Sequence, residues 1–563
     1  MSKLEGDESV ARKFKKNNLK TTLLVSSAFA IMSAFSAASA QETVNTDQAD
    51  DELTQDTVIV TGIRSSLESA LNEKRNADSL TEVIQAVDIG KLPDQNLAEV
   101  LENITGVQIT RTAGIGTGVQ IRGTNANRTE INGVSTVGSG SGRTGINFED
   151  VSAAIIASLE VIKAPQANTI EGSVGGTVNL RTIRPLDLKD TLASVRVQGE
   201  HSNLSDSVSP RFSGTLGDNW DTSIRRFGLV GSFSYTEQEA TSFRPRVDRD
   251  NVTSSPIADV NGPFLGIQFL NQDLDNFEFE TINFAGTAEW EPNDHFKLFF
   301  DVVVNDQEQR QASSRVQGSG VSSVIDFTLP DSFETIDFGS LDGVDLGSIQ
   351  AALTGTIQPI LTVDDDDPNL RFSSDTNSRF TDSEIFRLGT DWNFGRASGR
   401  IEGSISQSDS VTPSLNTTLN FIYPNALTPL DGSSNDNSTP FIFDLTDGTL
   451  SFGIDFASPF APTVEDLLNP ANLLLDAVQV GSNTTDNSED AIRFDVSYDL
   501  QDHAFSLNNI ITSVDAGYRY NNTSSTFSDI DTNFGTGSID SSPSALLFPV
   551  SYTHLTLPTK RIV

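Results

Sequence analysis

The chain has 563 residues, 77 Asp+Glu against 37 Lys+Arg, a formal net charge of −40 and no cysteine. A nucleic-acid surface needs a basic footprint to neutralise phosphates; thiol catalysis, disulfide scaffolds and Cys-ligated zinc need cysteine; these classes fall away. His201, His295, His503 and His554 are far apart, without metal-ligand spacing, and no nucleophile–base arrangement stands out, so neither an enzyme nor a metal or cofactor site is expected.

In chain order, the first 40 residues have the make-up of an export signal. Lys13, Lys15, Lys16 and Lys20 precede the apolar run Leu23–Phe35, and Ala38-Ser39-Ala40 gives a small-x-small cleavage pattern before Gln41. The run is short for a ~30 Å bilayer core, and no later segment resembles an apolar helix of ~20 residues. An exported chain of this kind is periplasmic, secreted or a membrane β-barrel. Residues 41–57 are polar and acidic and are expected to form a disordered periplasmic leader. Residues 58–62 (Val58, Ile59, Val60, Thr61, Gly62) form a short β-prone run. Such a run either starts a domain core or pairs with the sheet edge of a partner.

Two short helices are predicted next. Leu67, Ala70, Leu71 and Lys74 have helical spacing within Ile63–Arg75, and Leu97, Val100 and Leu101 share one face of Asn96–Asn103. Brief β runs follow, separated by glycines that permit tight turns: Gly106–Thr110, Val119–Gly123, Thr129–Gly133, Leu159–Pro165 and Gly175–Thr182.

Beyond residue 190 the pattern changes to period-two segments. Phe296, Leu298, Phe300, Val302 and Val304 alternate with Lys297, Asp301 and Asn305; Ile492, Phe494, Val496, Tyr498 and Leu500 alternate with Arg493, Asp495, Ser497 and Asp499. Alternating segments of about 10 residues with one polar face mark membrane barrels, and lipid demands closure of the sheet. Nine strands are predicted, at 192–202, 207–217, 225–236, 281–291, 295–305, 383–393, 396–407, 490–500 and 504–522. Short connections (Asp218–Ile224, Pro292–Asp294, Phe394–Gly395, Gln501–His503) alternate with long ones (residues 237–280, 306–382 and 408–489). Long loops at one parity are a barrel trait that a soluble sandwich has no reason to share. The loops read as polar and acidic, and Val363–Asn369 as a solvated acidic run rather than a calcium site. Lys297, Arg387, Arg400, Arg493 and Arg519 are expected to face the lumen. Residues 551–563 differ in composition from the acidic, Asn/Ser-rich chain before them and read as a non-native tail.

The ordered succession VIVTG, NLAEVLENITGVQI, VQIRG, INGV, LEVIKAP and EGSVGGTVNLRT resembles the N-terminal part of TonB-dependent outer-membrane receptors, over about Thr57–Arg184. The GGTVNLRT ending is most similar to the Caulobacter-type subgroup, several members of which import carbohydrates. The resemblance implies an all-β transmembrane barrel with an N-terminal α+β plug domain (residues 63–187) in its lumen. The family barrel has about 22 strands, so residues 190–550 would supply only about half of it, as the front portion of a longer receptor.

The resemblance also implies that Val58–Gly62 is a TonB box that adds a strand to the C-terminal domain of TonB, driven by the inner-membrane proton-powered complex. The barrel would contact outer-membrane lipid. The solute would be an oligosaccharide or a ferric chelate, the former slightly favoured. Plug loops Arg111–Gly118, Thr124–Arg128 and Ser135–Asn147 are candidate solute-binding apices, with Arg111, Asn125, Asn127, Arg128 and Arg143 as donors. Arg122 and Glu171 are candidate structural ion-pair members. The competing reading is a secreted or surface-attached β-rich adhesin without transport activity.

Overall fold

The computed structural model describes residues 79–85, 97–112, 114–139, 155–165, 169–223, 225–249, 263–267, 269–319, 328–359, 368–422, 439–446, 450–500 and 512–535. It also describes residues 70, 71, 74, 75, 148, 151, 167, 252 and 253. The expected signal peptide, leader, TonB box, Arg143, most of the acidic run at 363–369 and the C-terminal tail lie outside the described residues.

The first domain is a small α+β unit. Strand β1 (Thr81–Gln85), helix α1 (Leu97–Glu102), β2 (Val107–Thr112), β3 (Ile115–Ile121), β4 (Arg128–Ile131), β5 (Val134–Ser135), β6 (Ile156–Ile162) and β7 (Thr177–Thr182) follow in order. Five of the strands pair as β1-β6-β7-β4-β5, and β2-β3 form a separate hairpin. The helix forms where Leu97, Val100 and Leu101 share one face, and all three are fully buried. They pack on Ile121, Ile131, Leu159, Val161, Val178 and Leu180. Each such side chain contributes about 1.5–3 kcal/mol by leaving water. Glycine is required where backbones nearly touch: a Cβ on Gly175 would lie 2.7 Å from the Ile121 carbonyl oxygen. Sequence patterning anticipated α1 and five of these seven strands; β1 was missed because TEVIQ shows no clear alternation, and β5 because it has only two residues.

The second domain is one nine-stranded antiparallel wall. Its strands are β8 (Leu192–Ser202), β9 (Ser207–Thr222), β10 (Arg225–Asp248), β13 (Phe269–Asn293), β14 (Phe296–Ser319), β19 (Asn369–Asn393), β20 (Ala397–Phe421), β23 (Leu473–Asp499) and β24 (Ser513–Gly535). Each pairs with the next in this order, with β8 and β24 at the edges. The sheet is therefore open.

All nine predicted strands exist, but most are far longer than expected. β23 has 27 residues, or about 90 Å at ~3.3 Å per residue, several times the ~25 Å apolar band of a membrane barrel. The extensions lie on the long-loop side, where the outward face turns polar. On β14, Phe296–Val304 is followed by Asp306, Glu308 and Arg310. Period-two hydrophobicity detects only the part that would meet lipid.

The wall is inside-out relative to a soluble protein. Leu388, Ile401, Ile405, Ile492 and Tyr518 are exposed, whereas Asn283, Asn305, Ser383, Ser408 and Asn487 on the other face are buried. No described helix is long and apolar enough to cross a membrane.

The long loops depart from the sequence reading. Within them run β11 (Val252–Thr253), β12 (Phe264–Leu265), β15 (Thr328–Asp337), β16 (Ser340–Leu341), β17 (Val344–Asp345), β18 (Ser348–Ile357), β21 (Phe441–Asp444) and β22 (Ser451–Ile454). Six of these, β16 and β17 excepted, form one further sheet. Phe264, Phe421, Phe441 and Phe443, each at most 1% exposed, centre a second hydrophobic core under it. The acidic composition concealed this core because the phenylalanines are spread over two of the long loops, 237–280 and 408–489, and converge only in space.

Candidate functional site at the plug–wall contact

The β4–β5 hairpin turns through Asn132 and Gly133, with φ of 54° and 77°. This Asn-Gly pair is the preferred two-residue hairpin turn, because both positions need a left-handed backbone. The turn docks on the wall at both ends. Asn132 Nδ2 donates to Thr182 Oγ1 (3.0 Å) and Asp301 Oδ2 (3.4 Å). The Gly133 carbonyl accepts from Arg519 Nη2 (2.7 Å).

A charged clamp holds the end of the plug. Arg184 Nη1 and Nη2 donate to the two carboxylate oxygens of Asp301 (2.9 and 3.1 Å). The same guanidinium lies 3.7 Å from Glu289. Asp301 also accepts from Arg387 Nη1 (2.7 Å), and Arg387 bonds Glu402. The Phe299 ring has Arg184, Arg387 and Arg400 within 5.6, 4.3 and 5.4 Å of its centroid, so its face adds cation–π attraction to the ion pairs. The Leu186 N–H donates to Glu289 Oε2 (3.1 Å), and Asn219 Nδ2 donates to the Pro185 and Leu188 carbonyls (2.9 Å each). With Arg226 Nη2 donating to the Leu186 carbonyl (2.5 Å), residues 182–188 are tied to wall strands β9, β10, β13 and β14.

A second contact has different chemistry. Ser135 Oγ donates to Glu489 Oε2 (3.2 Å), the Val137 N–H to Ser406 Oγ (3.4 Å), and Asn487 Nδ2 to the Gly138 carbonyl (2.7 Å). No ion pair between plug and wall occurs along this seam among the described residues. Glu489 also accepts from Asn521 (2.9 Å) and Thr523 (3.1 Å), which hold its carboxylate in place.

A cavity of about 1350 Å³ lies between the hairpin and the lower wall. Four of the five cations expected to face the lumen line it: Lys297, Arg400, Arg493 and Arg519. Three of these are paired within the wall: Arg400 with Asp391 (2.5 Å), Lys297 with Glu289 (3.7 Å), and Arg493 with Asp495. The fifth, Arg387, is buried in the clamp.

The candidate solute donors are placed as follows. Arg111 lies in β2, not in a loop, and pairs with Glu102 across 2.5 Å on the surface. Arg128 is the first residue of β4; its Nη2 donates to Ser135 Oγ (2.5 Å), its Nη1 to the Glu171 carbonyl (3.3 Å), and its Nε lies 3.6 Å from Glu130. Asn127 Nδ2 donates to the Val119 (2.9 Å) and Thr124 (3.2 Å) carbonyls, which closes the loop between β3 and β4. Asn125 is exposed, and its carbonyl accepts from the Asn127 N–H. The four do not converge on one site: Arg128 and Asn127 serve structure, and Arg111 stands apart.

Arg122 has a left-handed φ of 55°, and its N–H donates to the Gly106 carbonyl. Glu171 contributes its backbone carbonyl to Arg128, not the carboxylate that an ion pair would use. Sequence reading missed Arg184, Glu289, Glu402 and Glu489. The three glutamates gave no signal beyond a charge on the lumen face of a strand, which hydrated lining shares, and Arg184 lies between β7 and β8 with none.

Glu130 is buried beside Arg128. Burial pushes its carboxyl above the ordinary range, offset in part by Arg519, Arg128 and Arg493. Burial lowers the Lys163 ammonium, and Glu82 at 3.8 Å opposes the shift.

Comparison with known proteins places this geometry. Residues 73–177 match the family described as TonB-dependent Receptor Plug Domain. No curated protein matches the chain. Among solved structures, the ferric citrate transporter FecA in its unliganded form is 11% identical, over 81% of this chain and 79% of that one, with a TM-score of 0.28. The ferric enterobactin receptor PfeA of Pseudomonas aeruginosa is 13% identical over 76% and 72%, with a TM-score of 0.26. The pyoverdine receptor FpvA of Pseudomonas aeruginosa PAO1 is 10% identical over 80% and 78%, also at 0.26. No residue role is taken from likenesses this distant.

Proposed function

Taking the chain as a TonB-dependent receptor, with its plug domain at residues 73–177, we propose that it imports a scarce solute across the bacterial outer membrane. The observation that carries this reading is the plug match together with the wall on which the plug is docked, a wall whose exposed face is apolar and whose buried face is polar. A membrane barrel needs that inversion, whereas a secreted adhesin in water would bury the apolar face instead.

An outer membrane holds no nucleotide pool, so import against a gradient needs a mechanical link to the inner membrane. Val58–Gly62 is the segment suited to that link. Its β-branched residues favour an extended backbone, and main-chain hydrogen bonds to a partner's sheet edge make the contact tolerant of side-chain identity. Solute binding must favour the released segment over the retained one, because a solute with equal affinity for both states transmits nothing.

The test is a pull-down with the C-terminal domain of TonB. Val60→Pro removes one backbone donor and should reduce capture at least tenfold, while solute binding at the cell surface is unchanged. Equal capture by the variant would remove the box from this assignment. Loss of uptake in a host lacking TonB is the companion readout.

A further inference from the structure

One hairpin of the long-loop sheet stands clear of the rest. Strands β15 and β18 pair from Thr328 and Ile357 at the base to Asp337 and Ser348. The chain between them continues as β16 and β17, with Leu341 opposite Val344. The base is fixed: Ala351 and Ala352 are fully buried, and the Phe333 ring meets Phe264 edge-on with centroids 5.5 Å apart. Arg249 pairs with Glu334 and donates to the Ala352 carbonyl (3.0 Å). Residues 337–348, by contrast, are all exposed.

The exposed tip is ordered by its own hydrogen bonds. Asp342 and Gly343, with φ of 52° and 80°, form a tight two-residue turn of the Asp-Gly kind. The Phe338 N–H donates to the Gly347 carbonyl (3.0 Å), and the Leu346 N–H to the Gly339 carbonyl (2.9 Å). Asp337 Oδ1 accepts from the Gly339 N–H (2.8 Å), and Asp345 Oδ1 from the Gly347 N–H (2.9 Å). On this frame Phe338, Leu341, Val344 and Leu346 are each more than half exposed. Single exposed apolar residues are ordinary; four close together on a preformed tip make a patch of the kind that marks protein contacts. Because the backbone is already set, little ordering entropy is left to lose on binding.

Charge selects the partner. Thr328–Ile357 contains Asp331, Glu334, Asp337, Asp342 and Asp345 and no Lys, Arg or His, so all 37 Lys+Arg of the chain lie elsewhere. A second copy, at net charge −40, would be repelled. A membrane surface rich in phosphate would be repelled by the same aspartates. A small solute would find no enclosure, because nothing on the tip is buried. The complementary surface is an apolar face bordered by cations. We propose that this tip docks a cationic amphipathic segment of another protein, on the side of the wall where the long loops lie. The four apolar side chains supply affinity by leaving water, and the aspartates supply association rate and partner choice. This contact goes beyond import and does not depend on which solute is carried.

The absence of native cysteine allows a single label at the tip. Ser340→Cys in the full chain, held in nanodiscs of zwitterionic lipid, carries a polarity-sensitive fluorophore. The probe is a short amphipathic helix of leucine and lysine, and its addition should shift the emission to the blue. The half-saturating concentration should rise about tenfold or more when Leu341→Ser and Val344→Ser are combined, because the apolar contact is lost. It should rise about threefold with Asp342→Asn and Asp345→Asn at low salt, a difference that high salt removes. None of these substitutions removes a buried side chain, and unchanged circular dichroism reports an intact hairpin base. No shift, an unchanged half-saturation in the apolar variant, or an equal response to the same residues in scrambled order each overturns the proposal. So does a shift with phosphatidylglycerol vesicles in place of the peptide, or self-association in sedimentation that the apolar variant abolishes. Capture of TonB through Val60 is measured separately, so a tip that binds nothing leaves the import reading standing.

Discussion

Two of the contacts between plug and wall are built from opposite chemistry. At the clamp, Arg184, Glu289, Asp301, Arg387 and Glu402 form a buried charge network around one phenylalanine ring. Along the seam, Ser135 meets the Glu489 carboxylate, and the Val137 and Gly138 backbone groups meet Ser406 and Asn487, with no ion pair among the described residues. Removing one member of a buried ion pair strands the other charge in a poorly solvated place and costs far more than losing a neutral hydrogen bond. The clamp is therefore the costlier of the two contacts to break, and the side chains rather than the contact area make it so.

The comparison can be broken most directly at Asp301, which accepts from Arg184, Arg387 and Asn132. Asp301→Ala should destabilise plug docking by roughly 3–5 kcal/mol, measured as a lower urea midpoint for protease resistance of the plug. A loss below about 1 kcal/mol would mean that the clamp is not the stronger contact. Next in size is Asn487→Ala on the seam, with an expected cost of about 1 kcal/mol for one hydrogen bond. Equality with the Asp301 variant in the same assay would erase the distinction.

Glu130 sharpens the comparison through pH. Its folded carboxyl titrates above the ordinary carboxylate range because burial disfavours its charge. The folded plug consequently binds a proton that the unfolded chain has released. This contribution to stability is full below the ordinary carboxylate pKa and is lost as pH rises through the raised one. Glu130→Gln should flatten that dependence and leave the plug slightly more stable at neutral pH; an unchanged profile of hydrogen-exchange protection against pH would argue that the carboxyl is not desolvated. Smallest is Ser406→Ala, which removes one 3.4 Å contact and should cost about 0.5 kcal/mol or less. A larger loss would show the seam to be tighter than its geometry indicates.

Much of the architecture was legible in the residues. Helix α1 was visible because Leu97, Val100 and Leu101 repeat at helical spacing, and the wall strands because Phe296–Val304 and Ile492–Tyr498 alternate. The outer thirds of the strands were not visible, since both of their faces are polar there and a period-two signal needs contrast. The phenylalanine core of the loops was equally hidden, because Phe264 and Phe441 belong to different loops. The candidate site was read less well. Arg128 and Asn127 looked like solute donors because loops with free amides and guanidinium groups do bind solutes. The sequence carries no record that Ser135, Glu171 and Val119 already hold them.

Local periodicity is written into consecutive residues, and so the amino-acid order alone determined the plug motifs, the strand count and the two-faced character of the wall. Partnership between side chains far apart in the chain is set by strand register and by which face a plug turn meets. Only the tertiary structure could therefore decide that Arg184 finds Asp301, 117 positions away, and that Ser135 of the plug meets Glu489, 354 positions away. Alternation assigns a residue to one of two faces; burial and register decide what that face touches.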